Sequence, residues 1–208
     1  MPGSTPKLAL PYPLPADAVT DYPALGQSLA QKIEGLGGAV KLWDSTEAGV
    51  VFPVSSIITP AIPQTYKHLL LAYGNAASDS TSGQLALRFN AFATNYRYQY
   101  LQGAYQTPGA GEGYSLGYML LGPCGPSTSG AYGGAGLALI GDYANVVGGA
   151  TPNLLAIGSG FFSAASQQYN VQLLGGMYAG GAYAVTSLTI LATAGNIRRG
   201  RFTLWGIG

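Results

Sequence analysis

The chain has 208 residues, of which nine are Lys or Arg and eight are Asp or Glu, so only 8% are charged. A typical soluble domain has about 25% charged residues, so this surface must be covered by uncharged side chains or buried against other subunits. The net charge of +1 excludes the basic surface that a nucleic-acid backbone requires, and no nucleic acid is expected as a partner.

Two further features exclude other classes of protein. Cys124 is the only cysteine, so the chain has no intrachain disulfide. Residues 113–197 carry only Asp142 as a formal charge, but glycines interrupt this stretch too often for a membrane helix. No membrane insertion is therefore expected, and the proline-broken start lacks the apolar core of a signal peptide.

The first predicted element is an extended arm over residues 1–20. Each proline restricts its own φ and keeps the preceding residue extended. A disordered tail is the alternative that the composition leaves open. In an ordered arm, the apolar side chains need a surface to lie on, and they are the predicted particle-attachment residues: Leu8, Leu10, Tyr12 and Leu14.

A short helix is predicted next. Asp21 has the character of an N-cap, and Gly35 lies just past the predicted end. One apolar stripe runs along the helix, and its seam residues are Leu25, Leu29 and Ile33. Because so short a helix is marginal alone, it must pack on the body or on symmetry mates.

The rest of the chain shows the period-two pattern of half-buried strands, as in Leu85–Phe89 and Tyr96–Tyr100. About ten such strands with no helix between them predict an all-β body, an antiparallel β-sandwich of the jelly-roll kind. The predicted domains are residues 1–38, for the arm and helix, and residues 39–208, for the body. The other predicted strands are Val50–Ile58, Tyr66–Tyr73, Ser115–Leu121, Gly136–Asp142, Leu154–Ala164, Tyr169–Leu174, Tyr183–Ala192 and Arg201–Ile207.

The connectors between these strands are rich in Gly, Ser, Thr, Pro and Ala: Asn75–Ser82, Gln106–Gly113 and Gly122–Gly134. The charge-poor, glycine- and tyrosine-rich stretch 113–197 is predicted to be a face buried against identical subunits, because unpaired charges there would be costly. The alternative is a glycine-rich sandwich with long turns. We predict a homotrimer.

Catalytic and metal-binding patterns are sparse. His68 and Cys124 are the only residues of their types, so a zinc site lacks ligands, and no cofactor or metal is expected. His68 is interpreted as a structural hydrogen-bonding residue at a strand edge, and Cys124 as a loop thiol. The acids of the body are Asp44, Glu47, Asp79, Glu112 and Asp142. No two of them stand out by spacing as a catalytic pair, so we expect no enzyme.

Closely spaced tyrosines leave two interpretations open. Tyr96, Tyr98, Tyr100 and Tyr105 could supply the aromatic platform of a glycan site. Alternating tyrosines on a strand are more often one face of a sheet. The glycan interpretation makes a host cell-surface glycan a further partner.

Three segments carry a family resemblance. LALPYPLPADAV (8–19), followed by ALGQSLAQKIE (24–34), resembles the N-terminal attachment region of minor tail and fibre-like proteins of tailed phages, particularly those infecting actinobacteria. SLTILATAGNIRRGRFTLWGI (187–207) is similar to their closing hairpin. YKHLLLAY (66–73) with SGQLALRFN (82–90) resembles one of their strand pairs.

The resemblance implies a structural protein of the virion, attached through its N-terminal arm to other virion proteins. The preferred assignment is a fibre-like minor tail protein. A capsid decoration or head-fibre protein, which would need the same parts, is the alternative, and a carbohydrate-binding host adhesin is a second alternative. The chain departs from the family where the final turn carries Arg198, Arg199 and Arg201. These arginines are expected to form a solvated hairpin tip or to contact an acidic neighbour in the particle.

Overall fold

The computed structural model describes residues 3–4, 11–12, 38–80, 83–104, 107–126, 133–144, 151–163 and 168–208. The chain divides into two compact units, residues 1–40 with Gly208 and residues 41–207. In the first unit, β1 (Gly3–Ser4) pairs antiparallel with β2 (Pro11–Tyr12). The predicted helix lies outside the described residues, as do several residues predicted to make contacts: Leu8, Leu10, Leu14, Leu25, Leu29, Ile33 and Tyr105.

The described part of residues 41–207 is all-β, as predicted. The strands follow one another without a helix in the described segments. They are β3 (Ala39–Asp44), β4 (Ser56–Ile58), β5 (His68–Ser78), β6 (Gln84–Phe89), β7 (Tyr96–Ala104), β8 (Thr107–Leu116), β9 (Met119–Pro123), β10 (Gly125–Pro126), β11 (Gly134–Gly141), β12 (Asn153–Ser163), β13 (Gln168–Tyr178), β14 (Leu188–Ala192) and β15 (Ile197–Ile207).

These strands form two sheets. The large sheet has nine strands in the order β3-β15-β5-β11-β12-β13-β7-β8, with β10 added beside β5. The small sheet has four strands in the order β4-β14-β6-β9. Among strands β4 to β15, the pairings within these sheets are antiparallel except for the short parallel β10–β5 pair.

The apolar faces of the two sheets share one core, an arrangement consistent with a β-sandwich. Strand β9 of the small sheet lies against β11, β12 and β13 of the large sheet. Period-two alternation places every second side chain of a strand on this inner face. The core includes Leu69, Leu71 and Tyr73 from β5, Leu85, Leu87 and Phe89 from β6, and Met119 and Leu121 from β9.

One predicted connector is a strand. Residues Gln106–Gly113 were predicted as a loop, but β8 begins at Thr107 and pairs with β7. Its glycines make room for the large side chains of β7, since a Cβ at Gly111 would lie 2.5 Å from Cζ of Tyr100. A strand built on alternating glycines lacks the apolar signal by which strands are recognised.

Other strand boundaries also differ from the prediction. Only the end of Val50–Ile58 forms a strand, while Val54 makes a single bridge to Ile197. Ser115–Leu121 is interrupted at Gly117, whose carbonyl accepts a hydrogen bond from Nε of Arg88 at 2.7 Å. Strand β5 runs five residues past its predicted end at Tyr73, to Ser78.

The last two strands do not form the closing hairpin that the sequence resemblance implied. The turn between them has Gly195 in the left-handed region at φ 69°, a conformation that glycine adopts without strain. However, β14 pairs with β4 and β6 in the small sheet, whereas β15 lies between β3 and β5 in the large sheet. The turn therefore carries the chain from one sheet to the other.

Candidate assembly surface on the large sheet

The outer face of the large sheet carries a row of half-exposed apolar side chains. Leu137 lies opposite Ile157, Ile157 opposite Leu173, and Leu173 opposite Leu101, on four neighbouring strands. With strands about 4.8 Å apart, this row spans about 14 Å. Residues two positions along the strands widen it into what we term the apolar face: Leu101, Leu137, Leu139, Leu155, Ile157, Val171 and Leu173, which are 38–61% exposed.

The strands that carry this face are apolar on both sides. Leu154 and Ala156 of β12 and Leu174 of β13 point into the core, while Leu155 and Leu173 between them point outward. Strands β11, β12 and β13 contain no Asp, Glu, Lys or Arg. Continuous apolar runs of this kind are typical of strands that are covered on both faces.

A contiguous exposed apolar surface on a folded protein indicates a site where another surface binds. Single exposed leucines are ordinary, but contiguous apolar patches of several hundred Å² mark sites where another surface binds. The apolar face lies mainly within 113–197, the stretch that the sequence predicted as a subunit interface. Leu101 on β7 lies outside that stretch. Because β7 also contains Arg97, this strand does not stand out as a charge-poor segment of the sequence.

A groove of about 920 Å³ lies at the β7–β8 border of this face. Leu155, Leu173 and Gly175 contribute to its lining from β12 and β13. Side chains from β7 and β8 line its other side, where Cζ of Arg97 lies 4.5 Å from the ring centroid of Tyr114. Five polar side chains of the groove lining are exposed: Arg97, Gln99, Glu112, Tyr114 and Asn153.

Arg97 and Glu112 are one cation and one anion at the edge of an uncharged surface. Within the described residues, ion pairs join Lys41 to Glu47 and Arg201 to Asp44. Neither Arg97 nor Glu112 has an ion-pair partner in that part of the chain. Glu112, predicted to lie in a loop, is placed by β8 directly opposite Gln99.

Arg201 was predicted to lie at a solvated hairpin tip or to contact an acidic neighbour in the particle. In the structure it lies within β15. Its Nε and Nη2 donate hydrogen bonds to Oδ2 of Asp44 at 2.9 and 2.7 Å. Oδ2 also accepts from the Thr203 hydroxyl, and Oδ1 from the Thr46 amide. The hydrogen bonds from Arg201 lower the pKa of Asp44 to about 2, although burial opposes them.

The other two arginines follow the turn in β15. Arg198 is exposed and Arg199 half-buried. Hydrogen bonds from Asn196 lower the pKa of Asp79, and the nearby charge of Arg198 adds to this shift. The predicted basic cluster is therefore the first half of a strand, divided by register shifts.

The tyrosines of β7 share the inner face of the large sheet. Tyr96 is fully buried, and its hydroxyl bonds to the amide and carbonyl of Phe89. Of the two interpretations, Tyr96 fits the one in which the tyrosines form a face of the sheet, and burial raises its pKa to about 12. Tyr98 and Tyr100 are half-buried against the core.

His68 and Cys124 differ in how far they match their predicted roles. His68 is the first residue of β5, where this strand pairs with β11 and β15. Its buried Nδ1 has no hydrogen-bond partner among the described residues. Cys124 is buried, its Sγ lies 3.0 Å from the Gly83 carbonyl oxygen, and burial raises its pKa to about 11. Such a thiol is a poor nucleophile.

The described residues show no grouping for metal chemistry. No three of their His, Cys, Asp and Glu side chains come together as potential ligands. Nor does this part of the chain contain a helix long and apolar enough to cross a membrane.

Comparison with known proteins adds no relative. No family of known proteins, no curated protein and no solved structure matches the chain.

Proposed function

We propose that this chain is a non-enzymatic structural protein of a tailed-phage virion, in which copies associate as a homotrimer through the apolar face. The observation that carries the assembly part is the charge-free, half-exposed row of leucines and isoleucine across four strands. The virion part rests on the resemblance of the arm and of the C-terminal segment to minor tail proteins.

The energetics of this association can be bounded. Burying a whole aliphatic side chain is worth about 1.5–3 kcal/mol. The seven side chains of the apolar face are about half covered already, so their burial supplies about 5–10 kcal/mol. Association costs about 4–15 kcal/mol in lost freedom. The apolar face is thus close to sufficient, and adjoining surface must contribute to a stable assembly.

In this proposal, residues 1–38 are the attachment region, with the Pro-rich arm and short helix docking onto other virion proteins. Residues 39–208 form a jelly-roll-like body that projects outward. A capsid decoration or head-fibre protein would have the same parts. Quantitative mass spectrometry of purified particles separates them, because one to a few trimers per particle indicate the tail and tens of trimers indicate the head.

Lysine substitution tests the assembly directly. Leu155→Lys and Leu173→Lys each place a charge in the apolar face, and we expect both to give monomers by light scattering and native mass spectrometry. Ile58→Lys is the matched control, because Ile58 is 62% exposed but lies on β4 of the small sheet. A wild-type monomer, or face variants that keep the wild-type mass, would refute the proposal.

A carbohydrate-binding host adhesin is the second candidate, and the groove is what favours it. Tyr114 is 63% exposed, and Gln99 and Asn153 contribute amide groups to the same groove lining. This candidate requires saturable binding of a glycan by the purified chain, lost in Tyr114→Ala. Tyr183→Ala, which removes a 48% exposed tyrosine outside the groove lining, is its control.

A further inference from the structure

We propose that the groove at the β7–β8 border receives a second copy of this chain, with Arg97 of one copy pairing with Glu112 of the next. This inference rests on the proposed self-association and deepens it. It assigns the contact that fixes how the subunits are oriented on each other.

The groove and the apolar face are one continuous surface. Leu155 and Leu173 belong to both, and Leu101 lines the groove as well. A partner that covers the apolar face therefore also covers the groove floor. The free energy gained by burying the apolar face alone only about equals the cost of association. The groove therefore supplies the adjoining area that the assembly needs.

The charges identify the occupant as a copy of the same chain. The groove carries one cation, Arg97, and one anion, Glu112, and neither has an ion-pair partner in the described residues. Covering an unpaired charge is costly, whereas two complementary charges can meet at low cost. A second copy brings both complements, so a cyclic arrangement satisfies every subunit in the same way.

Arg97 is held in position for such a contact. Its guanidinium lies over the Tyr114 ring, with Cζ 4.5 Å from the centroid. Stacking on an aromatic face restricts the side chain while its N–H donors remain free at the edge of the guanidinium plane. A carboxylate approaching in that plane can accept two hydrogen bonds.

The same details argue against a glycan as the occupant. Apart from glycines, much of the floor is aliphatic, with Leu155, Leu173 and Met177 contributing. Sugar rings stack on open aromatic faces, and one face of Tyr114 is already covered by Arg97. The groove therefore suits apolar side chains of a protein surface that also carries one positive and one negative charge.

Charge reversal tests the pairing on the full chain. Arg97→Glu and Glu112→Arg should each weaken subunit association about tenfold or more, because like charges then meet in the contact. The double variant Arg97→Glu with Glu112→Arg should recover most of the wild-type association. Sedimentation velocity across a dilution series measures the association, and thermal unfolding checks that each variant folds. Arg198→Glu, at an exposed site away from the groove lining, should leave association unchanged.

The outcomes separate this inference from the proposed function. Recovery in the double variant supports it. Single reversals without effect, or a double variant without recovery, overturn it. If Leu155→Lys gives monomers in that case, the proposed assembly still stands. Saturable binding of chitohexaose to the wild-type chain, lost in Tyr114→Ala, would also overturn it in favour of a glycan.

Discussion

Asp44 shows how one buried carboxylate makes stability depend on pH. Its side chain is fully buried, while the Arg201 side chain is 65% exposed. Hydrogen bonds from Arg201 lower the pKa of Asp44 to about 2, below the value of about 3.9 for a free Asp. The folded state therefore binds fewer protons, and the stabilisation is complete above pH about 4 and lost as the pH falls toward 2.

We expect Asp44→Asn to remove this pH dependence. Because the Arg201 side chain is exposed, solvent screens the pair, and we expect the Asp44 charge to contribute about 1–2 kcal/mol to the free energy of unfolding. Chemical denaturation at intervals between pH 2 and pH 7 measures the effect. The wild type should lose stability relative to Asp44→Asn as the pH falls below about 4. Parallel curves for the two proteins would show that Asp44 titrates normally in the folded state.

At the scale of the strand, close packing between the sheets depends on a glycine. A Cβ at Gly158 would overlap the Tyr73 hydroxyl and lie 3.2 Å from both the Gly122 Cα and the Leu121 carbonyl oxygen. The Tyr73 hydroxyl donates to that carbonyl at 3.3 Å. No side chain larger than hydrogen fits without moving the ring or the facing strand.

Gly158→Ala should therefore destabilise the body by about 2–3 kcal/mol, through overpacking and loss of the Tyr73 hydrogen bond. The matched control is Gly74→Ala on β5, where a Cβ would meet nothing within 4 Å. This control should change the free energy of unfolding by less than about 0.5 kcal/mol. Urea denaturation compares the two, and equal effects would contradict the packing argument.

The strands that sequence patterns predicted well are those in which apolar residues mark at least one face. Leu85–Phe89 and Tyr96–Tyr100 both fall inside observed strands. Strand β8 was missed because its glycines face Tyr98 and Tyr100 across the pair, so that the bulk lies on β7 alone. Pairing between strands is invisible to a period-two search within one segment.

Long-range partners could not be predicted from the sequence either. Asp44 and Arg201 are 157 positions apart, and only the order β3-β15 in the sheet brings them together. The groove has the same origin, since its lining comes from β7, β8, β12 and β13. The low charge content was visible in the sequence. Which face of the large sheet carries the exposed apolar side chains was not.

At the scale of the whole molecule, the two sheets differ greatly in size. The small sheet has four strands and the large one nine, and β9 of the small sheet lies against the inner face of β11, β12 and β13. The outer faces of those same strands carry most of the apolar face. Strands β11, β12 and β13 are thus covered on their inner face and carry exposed apolar side chains on their outer face, which is the surface that the proposed assembly would cover.

Deleting residues 1–20 separates assembly from attachment. Among the described residues, the members of the buried core cluster lie between Trp43 and Leu204, and so does the apolar face. The truncated chain should therefore keep its melting temperature within a few degrees and its native oligomeric mass. It should no longer enter particles when it competes with the full chain, because the proposed docking arm is missing. Immunoblotting of purified particles measures incorporation, and a truncated chain that enters them normally would show that the arm has no part in attachment.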